Sequence, residues 1–256
     1  MRDSISSQAA PLLKVTDLGV AYGQVRAVQS VSLEVATGEF VAVIGSNGAG
    51  KSSTMKAIAG VLAPVAGKIE FDQRDVTGKP AHFLVRQGLA MVPEGRHVFA
   101  EQTVEDNLRL GAFVFGGSPQ RFDQAVERGF ALFPRLAERR AQLAGSLSGG
   151  EQQMLAIARG LASSPKLLVI DELSLGLAPK ILETLFPVLQ ALNREGLAIL
   201  LVEQLATQAL SVSHRAYVME IGGVTLQGGS AELARDPAVR QAYLGRHQTG
   251  SEERPR

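Results

Sequence analysis

The sequence predicts an α/β fold built around a parallel sheet. Short, almost continuous apolar runs alternate along the chain with helical patterns in which apolar residues recur every three or four positions. Such runs are typical of strands buried on both faces of a parallel sheet. A glycine-rich loop, Gly45 to Ser53, lies between the first of these strands and a helix, which is a further mark of this class.

The elements can be assigned in chain order. Residues 12–35 alternate partly between apolar and polar, which predicts a small antiparallel layer ahead of the core. Helices should follow the first and third core strands, the second of these helices beginning near Pro179 and kinking or breaking at Pro187. The predicted core strands are Phe40–Ile44, Leu89–Val92, Leu167–Ile170, Ala198–Val202 and Ala216–Met219.

Residues from about 95 to 160 show helical patterns and no convincing strand. Thr103 and Asp106 have the spacing of a capping box, which predicts the start of one helix there. We expect one domain over residues 12–245, with a core and β subdomain at about 12–94 and 161–245 and a helical subdomain at about 95–160. The polar ends, 1–11 and 246–256, are expected to be flexible tails.

Composition narrows the possible functions. Lys and Arg number 26 against 25 Asp and Glu, a net charge of +1, which argues against a nucleic-acid partner. The absence of cysteine excludes disulfides and thiolate metal sites and fits a cytosolic protein. No run approaches ~20 uninterrupted apolar residues, and the first residues lack the signal-peptide pattern, so neither a membrane span nor a signal peptide is expected.

The stretch GSNGAGKS fits the phosphate-binding pattern G-x-x-x-x-G-K-[ST], with a strand before it and a helix after it. Its glycines permit a tight turn, and the N-terminus of the following helix favours an anion. Lys51 can reach the β- and γ-phosphates, and the Ser52 hydroxyl can ligate Mg²⁺. The alternative is a glycine-rich loop with a surface lysine. The predicted nucleotide-binding residues here are Gly45, Ser46, Asn47, Gly48, Ala49, Gly50, Lys51, Ser52 and Ser53.

Two carboxylates end the apolar run LLVIDE. Asp171 is predicted to hold Mg²⁺ through water, and Glu172 to orient or deprotonate an attacking water. The alternative is that both side chains only cap the turn that follows. The phosphate-binding loop upstream favours the catalytic interpretation.

A second glycine-rich stretch, SLSGGEQQ, also begins a helix. Ser148 and Glu151 have capping-box spacing, which places Gly149 and Gly150 in the first turn. Glycine costs about 1 kcal/mol inside a helix, so the pair indicates close approach of another group, and we predict a second anion site. The alternative is an ordinary capped helix. A single nucleotide does not readily reach both sites within one chain, which predicts a head-to-tail pair of chains.

The motifs GSNGAGKSS, LSGGEQQ and LLVIDE, in this order, resemble the ATP-binding-cassette ATPases, over about Leu12 to Gly245. The resemblance implies a P-loop core, an antiparallel β subdomain and a helical subdomain that carries the second glycine stretch. It also implies a sandwich dimer with two ATP molecules at the interface. Tyr22 in VAYG matches the aromatic residue that stacks on adenine in this family; the alternative is a tyrosine at a strand edge.

Further stretches, among them VPEGRHVFAEQTVEDNL, DELSLGLAP and LVEQ, are similar to an ATPase subunit of bacterial branched-chain amino-acid importers, of the VEQ type. This implies an ATP-hydrolysing subunit that uses ATP and Mg²⁺ at the cytoplasmic face of the inner membrane. The implied partners are a second cassette ATPase, in a homodimer or heterodimer, two transmembrane permeases and, indirectly, a periplasmic binding protein.

Three positions depart from the general family pattern. Glu94 replaces a glutamine; it could ligate Mg²⁺, but its charge would repel a γ-phosphate. Gln204 replaces a frequent histidine and can donate to a γ-phosphate without carrying charge. Both are usual in the branched-chain subfamily and are kept as site residues. Leu173 replaces a proline, so a looser turn is expected. Arg96 could contact a phosphate or a permease, or lie on the surface.

Other functions remain open from the sequence. A P-loop kinase or GTPase would use the same loop, but the chain has no N-K-x-D guanine motif and a kinase has no use for LSGGE. A soluble, non-transport cassette is a second possibility, although such proteins often carry two cassettes or long insertions. The third is a cassette with weak turnover, suggested by Glu94, Gln204 and Leu173.

Overall fold

The computed structural model describes residues 10–116 and 118–244. The ten strands within these ranges form one sheet, in the order β5-β4-β1-β2-β10-β9-β3-β8-β7-β6. Most of the two predicted flexible tails lies outside the described residues. The strands are β1 (Leu13–Tyr22), β2 (Val25–Val35), β3 (Phe40–Gly45), β4 (Ala66–Phe71), β5 (Arg74–Asp75), β6 (Leu89–Val92), β7 (Leu167–Asp171), β8 (Ala198–Glu203), β9 (Arg215–Glu220) and β10 (Gly223–Gly229).

Helices pack on both faces of this sheet. The α-helices among the described residues are α1 (Lys51–Ile58), α2 (Ala81–Gln87), α3 (Val104–Gly111), α4 (Pro119–Leu132), α5 (Pro134–Ala137), α6 (Gly149–Leu161), α7 (Pro179–Arg194), α8 (Ala206–Val212), α9 (Ser230–Leu233) and α10 (Pro237–Val239). In this part of the chain, no helix is both long and apolar enough to cross a membrane.

The core half of the sheet is parallel, which confirms the predicted fold class. Strand β3 pairs in parallel with β8 and β9, and β7 pairs in parallel with β8 and β6. Every residue of β3, β7 and β8 is buried, which is why these strands read as continuous apolar runs. The carboxyl ends of β3, β8, β7 and β6 therefore meet at one edge, where ligands bind in open α/β sheets.

The first half of the sheet is antiparallel, as the alternation in residues 12–35 predicts. Strand β1 pairs with β2 and β4, and β4 pairs with β5. Strand β2 joins the core through β10, at the pair Ser30 and Gly223. The antiparallel strands are thus continuous with the core sheet, and helix α1 packs between the two halves through the buried residues Met55 and Ile58.

Helices α3 to α6 fill the region predicted to be helical, where an isolated bridge between Thr103 and Leu143 is the only strand-like pairing described. Thr103 and Asp106 form the predicted capping box of α3. Buried residues of α3, α6 and α7, among them Leu108, Leu155 and Leu189, share one hydrophobic cluster with β7 and β8. The division of the chain into subdomains stays a prediction.

Of the kink or break predicted at Pro187, the break is wrong, because α7 continues to Arg194, whereas the kink stays a prediction. Pro187 lies on the exposed face, where water can satisfy the carbonyl that its ring leaves without an amide partner. On the opposite face Leu185 and Leu189 are completely buried. The free energy gained by burying this apolar face of α7 against the sheet outweighs the free-energy cost of a proline inside the helix.

Replacing Pro187 by Ala should raise the free energy of unfolding by about 1–2 kcal/mol, because it restores one hydrogen bond of α7 and removes the ring clash. Urea denaturation of the full chain gives this quantity. The matched control is Pro179→Ala at the first position of the same helix, where proline is already favourable and no gain is expected. Equal gains at both positions would contradict this explanation.

Candidate active site

The predicted phosphate-binding loop opens on a cavity of about 410 Å³ at the carboxyl ends of β3, β6, β7 and β8. Residues from all four of these elements and their following loops reach it, so the sheet brings together groups that are far apart in sequence. The cavity is lined by Ala27, Asn47, Gly48, Ala49, Gly50, Lys51, Ser52, Ser53, Glu94, Glu172, Leu175 and Gln204.

The loop between β3 and α1 depends on glycine at two of its positions. Gly48 has φ 80° and Gly50 has φ 94°, values that other residues rarely adopt. A Cβ on residue 50 would also lie 2.6 Å from the carbonyl oxygen of Ala27. Gly50 is the N-cap of α1, so the turn delivers Lys51 and Ser52 to the first positions of the helix.

Lys51 is buried at the centre of the site. Its Nζ donates hydrogen bonds to the carbonyl oxygens of Gly45, at 2.8 Å, and Ser46, at 3.1 Å. The same atom lies 3.3 Å from Oε1 of Glu172, and both side chains are nearly inaccessible to solvent. Carbonyls and a carboxylate thus occupy the positions around Nζ that phosphate oxygens could take.

Ser52 and Asp171 meet at the next position. The Ser52 hydroxyl donates to Oδ1 of Asp171 at 3.0 Å. Burial raises the pKa of Asp171 to about 6; the hydrogen bond from Ser52 opposes this shift, and the charges of Glu172 and Glu94 add to it. Among the described residues, no side chain or backbone group hydrogen-bonds the buried Oδ2 of Asp171.

This arrangement suits Mg²⁺. The ion prefers oxygen ligands, keeps several waters, and is usually held by one or two carboxylates together with substrate phosphates. A hydroxyl, a carboxylate with one free oxygen and a nearby second carboxylate match that donor set. The described residues contain no cluster of three His, Cys, Asp or Glu side chains, so an ion held by protein alone is not indicated.

Glu172 has an unusual backbone conformation for its position. Its φ is 53°, in the left-handed region, although it directly follows a buried strand. Its N–H donates to the carbonyl of Val202 on the neighbouring strand at 3.0 Å, which fixes this turn. Strain of this kind persists only where the surrounding structure enforces it, and it is concentrated at functional sites.

Tyr22 is at the end of β1 and is 49% exposed. Its hydroxyl lies 3.4 Å from the Ser53 hydroxyl, which places the ring beside the first turn of α1. An exposed ring in this place suits stacking with an adenine base. That role stays a prediction.

The helix after SLSGGEQQ is α6, and its capping box forms as predicted. The Ser148 hydroxyl donates to Oε2 of Glu151 at 2.7 Å, and the Ser148 N–H donates to the same oxygen at 2.9 Å. Arg139 also pairs with Glu151 at 2.8 Å. Although partial burial raises the pKa of Glu151, hydrogen bonds from Ser148 and the charge of Arg139 hold it below its usual value.

The two glycines of α6 have different neighbours. A Cβ on residue 150 would meet the side chain of Ile181 at 2.8 Å, so Gly150 is needed for packing against α7. A Cβ on residue 149 would meet the guanidinium of Arg96 at 2.8 Å. In the described part of the chain, residues 148–151 do not line the cavity at Lys51. The predicted second anion site at these residues stays a prediction.

Comparison with known proteins identifies the family. The ABC transporter family model matches residues 28–174. The chain belongs to the ABC transporter ATPase family. This confirms the resemblance of its motifs, and the chain is an ATP-hydrolysing subunit of a transporter.

Relatives and solved structures of ABC ATPases extend this result to most of the chain. A high-affinity branched-chain amino acid transport ATP-binding protein of Pseudomonas aeruginosa, BraG, is 44% identical over 91% of this chain and 100% of its own length. A lipopolysaccharide export system ATP-binding protein, LptB, of Acidithiobacillus ferridurans is 34% identical over 91% and 97%. A solved nucleotide-free ATP-binding cassette is 27% identical, covers 91% and 99%, and has a TM-score of 0.80.

In this ABC ATPase, Glu94 and Gln204 both line the cavity, Glu94 exposed and Gln204 half-buried. Their predicted contacts with Mg²⁺ and with the γ-phosphate stay predictions. Leu173 is completely buried in the cluster beneath α6 and α7. Its side chain therefore fills core space at the position where the family often has proline.

Glu203, a residue without a predicted role, connects the end of β8 to the turn after Glu172. It is completely buried, and its carboxylate accepts from the Ser174 hydroxyl at 2.6 Å and from the Ser174 N–H at 2.8 Å. Burial raises the pKa of Glu203 to about 6, against the lowering effect of these hydrogen bonds. A glutamate at the end of an apolar strand was the available signal, since glutamate is almost never fully buried without a partner.

The raised pKa of Glu203 predicts a pH-dependent stability. The folded state binds the proton more tightly than the unfolded state does, so stability falls as the pH rises from about 4.5 through about 6. Relative to Glu203→Gln, the wild type should lose about 2 kcal/mol of unfolding free energy between pH 4.5 and pH 7.5. Urea denaturation across this range measures the difference, with exposed Glu183→Gln as control. A pH-independent difference would refute the assignment.

Proposed function

We propose that this chain hydrolyses ATP to energise an importer of branched-chain amino acids, as a peripheral subunit at the cytoplasmic face of the inner membrane. Its partners in this proposal are two permeases, a second cassette ATPase and, indirectly, a periplasmic binding protein. The observation that carries the proposal is the 44% identity over the whole length of BraG. The lipopolysaccharide-export relative is 34% identical, which makes export the weaker alternative.

The phosphates of ATP bind the loop between β3 and α1. The N–H groups of this loop and of the first turn of α1 provide donors, and the helix dipole favours the negative charge. Lys51 exchanges the carbonyls of Gly45 and Ser46, and the carboxylate of Glu172, for phosphate oxygens. Tyr22 stacks on the adenine. This exchange frees Glu172 for catalysis.

Ser52 and Asp171 would hold Mg²⁺, with Glu94 as a further oxygen ligand. The unpaired Oδ2 of Asp171 and the Ser52 hydroxyl support this assignment. Mg²⁺, when bound, would neutralise phosphate charge and help to align the terminal phosphate for attack.

Glu172 and Gln204 act on the side of the attacking water. Glu172 orients this water or accepts its proton, and Gln204 donates a hydrogen bond to the γ-phosphate. The polar link between Glu203 and Ser174 holds the residues that follow each of them in place. Movement of the loop near Glu94 then transmits the effects of ATP binding and hydrolysis to the permeases.

Ser148, Gly149, Gly150 and Glu151 act on the nucleotide of a facing subunit. They begin a 13-residue helix whose amino end has free N–H groups, and they lie outside the cavity around Lys51 in the described structure. Two chains that face each other head to tail bring each helix to the other's phosphates. In this proposal the pair closes when ATP binds and reopens after hydrolysis, and this movement drives transport.

The permeases dock in an apolar groove between α2 and the end of α3, which we call the α2–α3 groove. Its two connected cavities, of about 790 and 490 Å³, share Val85, Leu110, Gly111 and Phe113. Phe113 is 74% exposed, an unusual environment for a large aromatic side chain. A contact surface for another protein explains this exposure.

The charges of the α2–α3 groove indicate the kind of segment it holds. Its charged lining residues are cationic, namely Arg86, Arg121 and Arg159, and no carboxylate of the described residues lines it. Arg159 lies over the Phe99 ring at 5.1 Å, and its buried Nη1 has no acceptor among these residues. We therefore propose that the α2–α3 groove binds a cytoplasmic segment of a permease, and that this segment has an apolar face and an acidic residue.

Replacing Glu172 by Gln should reduce ATP hydrolysis by a factor on the order of 10² to 10⁴, because the amide cannot accept the proton of the water. ATP binding should persist, since Lys51 exchanges residue 172 for phosphate oxygens when ATP binds. Phosphate release by the complex and binding of a fluorescent ATP analogue measure the two effects. The control is exposed Glu183→Gln, and steady-state hydrolysis left intact in Glu172→Gln would refute the assigned role.

Replacing Phe113 by Ala should reduce recovery of permeases with the tagged chain about tenfold or more, because it removes an exposed aromatic anchor from the groove. ATP binding to the purified chain should not change, since Phe113 does not line the nucleotide cavity. The matched control is Val61→Ala, which also truncates a largely exposed apolar side chain. Equal recovery from both variants would contradict docking at this groove.

The proposed function as a whole is tested by purifying the tagged chain from membranes of its native host in a mild detergent. Mass spectrometry should identify two multi-span permeases and a second cassette ATPase, and the binding protein encoded beside them would reveal the solute by direct ligand binding. Recovery of lipopolysaccharide-export proteins would favour the alternative. Recovery of soluble proteins only, while other transporters remain intact, would refute transport.

A further inference from the structure

The turn after Glu94 is the most strained segment near the active site. Gly95, Arg96 and His97 have φ values of 83°, 67° and 46°, three consecutive residues in the left-handed region. The His97 N–H donates to the Gly95 carbonyl at 2.7 Å within this turn. Left-handed conformations are costly for arginine and histidine, so contacts elsewhere must hold the turn.

The Arg96 side chain makes two contacts outside this turn. A Cβ on residue 149 would lie between 2.8 and 3.0 Å from three atoms of the Arg96 guanidinium, so the guanidinium packs directly on the glycine at the start of α6. On its other side, Nη2 of Arg96 donates to the carbonyl of Gly176 at 3.4 Å. The guanidinium thus lies between the amino end of α6 and the turn that follows Glu172.

The electrostatics of this position are unfavourable in the isolated chain. A helix amino end carries partial positive charge and repels a cation. Glu151, the acid of the first turn, already pairs with Arg139 at 2.8 Å. Within residues 10–116 and 118–244, no carboxylate lies within 4.0 Å of Arg96 in an ion pair. An anion bound beside the guanidinium at the amino end of α6 would satisfy both positive groups.

We propose that Arg96 contacts the γ-phosphate of the ATP held by the facing subunit, together with Ser148 and Gly149. This rests on the proposed function, in which α6 closes on the phosphates of a second chain. The planar guanidinium matches phosphate oxygens in a two-pronged contact, which lysine cannot reproduce. Glu94 lines the nucleotide cavity of its own chain, whereas Arg96 contacts the ATP of the facing chain. The strained turn at residues 94–97 therefore connects the two nucleotides of the pair.

The test uses full-length Glu172→Gln as parent, because ATP stays bound without turnover. Arg96→Gln in this background should weaken the ATP-dependent pairing of chains by roughly 10- to 100-fold, the loss expected for a charged hydrogen bond. Arg96→Lys should recover part of the loss. Sedimentation velocity at several ATP concentrations gives the dissociation constant of the pair, and a fluorescent ATP analogue gives the affinity of the single chain, which should not change.

The matched control is Arg235→Gln, which removes the same charge from an exposed position. Thermal unfolding of each variant without nucleotide shows whether Arg96 only supports the fold. If the parent binds ATP but stays a single chain, the variants are compared in the complex purified with its second cassette, by ATP retained on gel filtration. Pairing or retention by Arg96→Gln equal to the parent's would overturn the proposal, whereas a parent that binds no ATP would refute the proposed function itself.

Discussion

The buried ion pair between Lys51 and Glu172 is the interaction on which the active site depends. Both side chains are nearly inaccessible to solvent, and one buried charge without the other would be strongly destabilising. The pair joins the loop after β3 to the end of β7, so it fixes the distance between the glycine-rich loop and the Glu172 carboxylate. In the proposed function, phosphates that enter replace Glu172 beside Lys51, which would couple nucleotide binding to release of this carboxylate.

The parallel core accounts for how this pair forms. Strands β3, β8 and β7 are adjacent, and their carboxyl ends carry Lys51, Gln204 and Glu172 to one edge. Because each strand is buried on both faces, polar groups are placed only where the strands end. The chemistry therefore follows from the order of strands in the sheet, and the residues need no proximity in sequence.

Much of this could be predicted from the sequence because the signals are local. Continuous apolar runs gave the core strands, and the glycine spacing gave the loop at Lys51. The two capping boxes at Thr103 and Ser148 also depend on neighbours three residues away. The helix does not break at Pro187, because burial of Leu185 and Leu189 is decided by the whole fold and not by local propensity. The partners of Glu203 and Arg96 are 29 and 80 residues distant, so no local pattern reveals them.

The turn from Leu173 to Gly176 gains its rigidity from these distant contacts. Leu173 lacks the restricted φ of the family's proline, yet its side chain is completely buried in the core. Ser174 is held by both oxygens of Glu203, and the Gly176 carbonyl is held by Arg96. Side-chain packing and charged hydrogen bonds thus hold this turn in the place of a proline ring. The same contacts connect the turn to Gln204, next to Glu203, and through Arg96 to α6. In the proposed pair of chains, a change at either nucleotide would therefore reach Glu172 through contacts that proline alone could not provide.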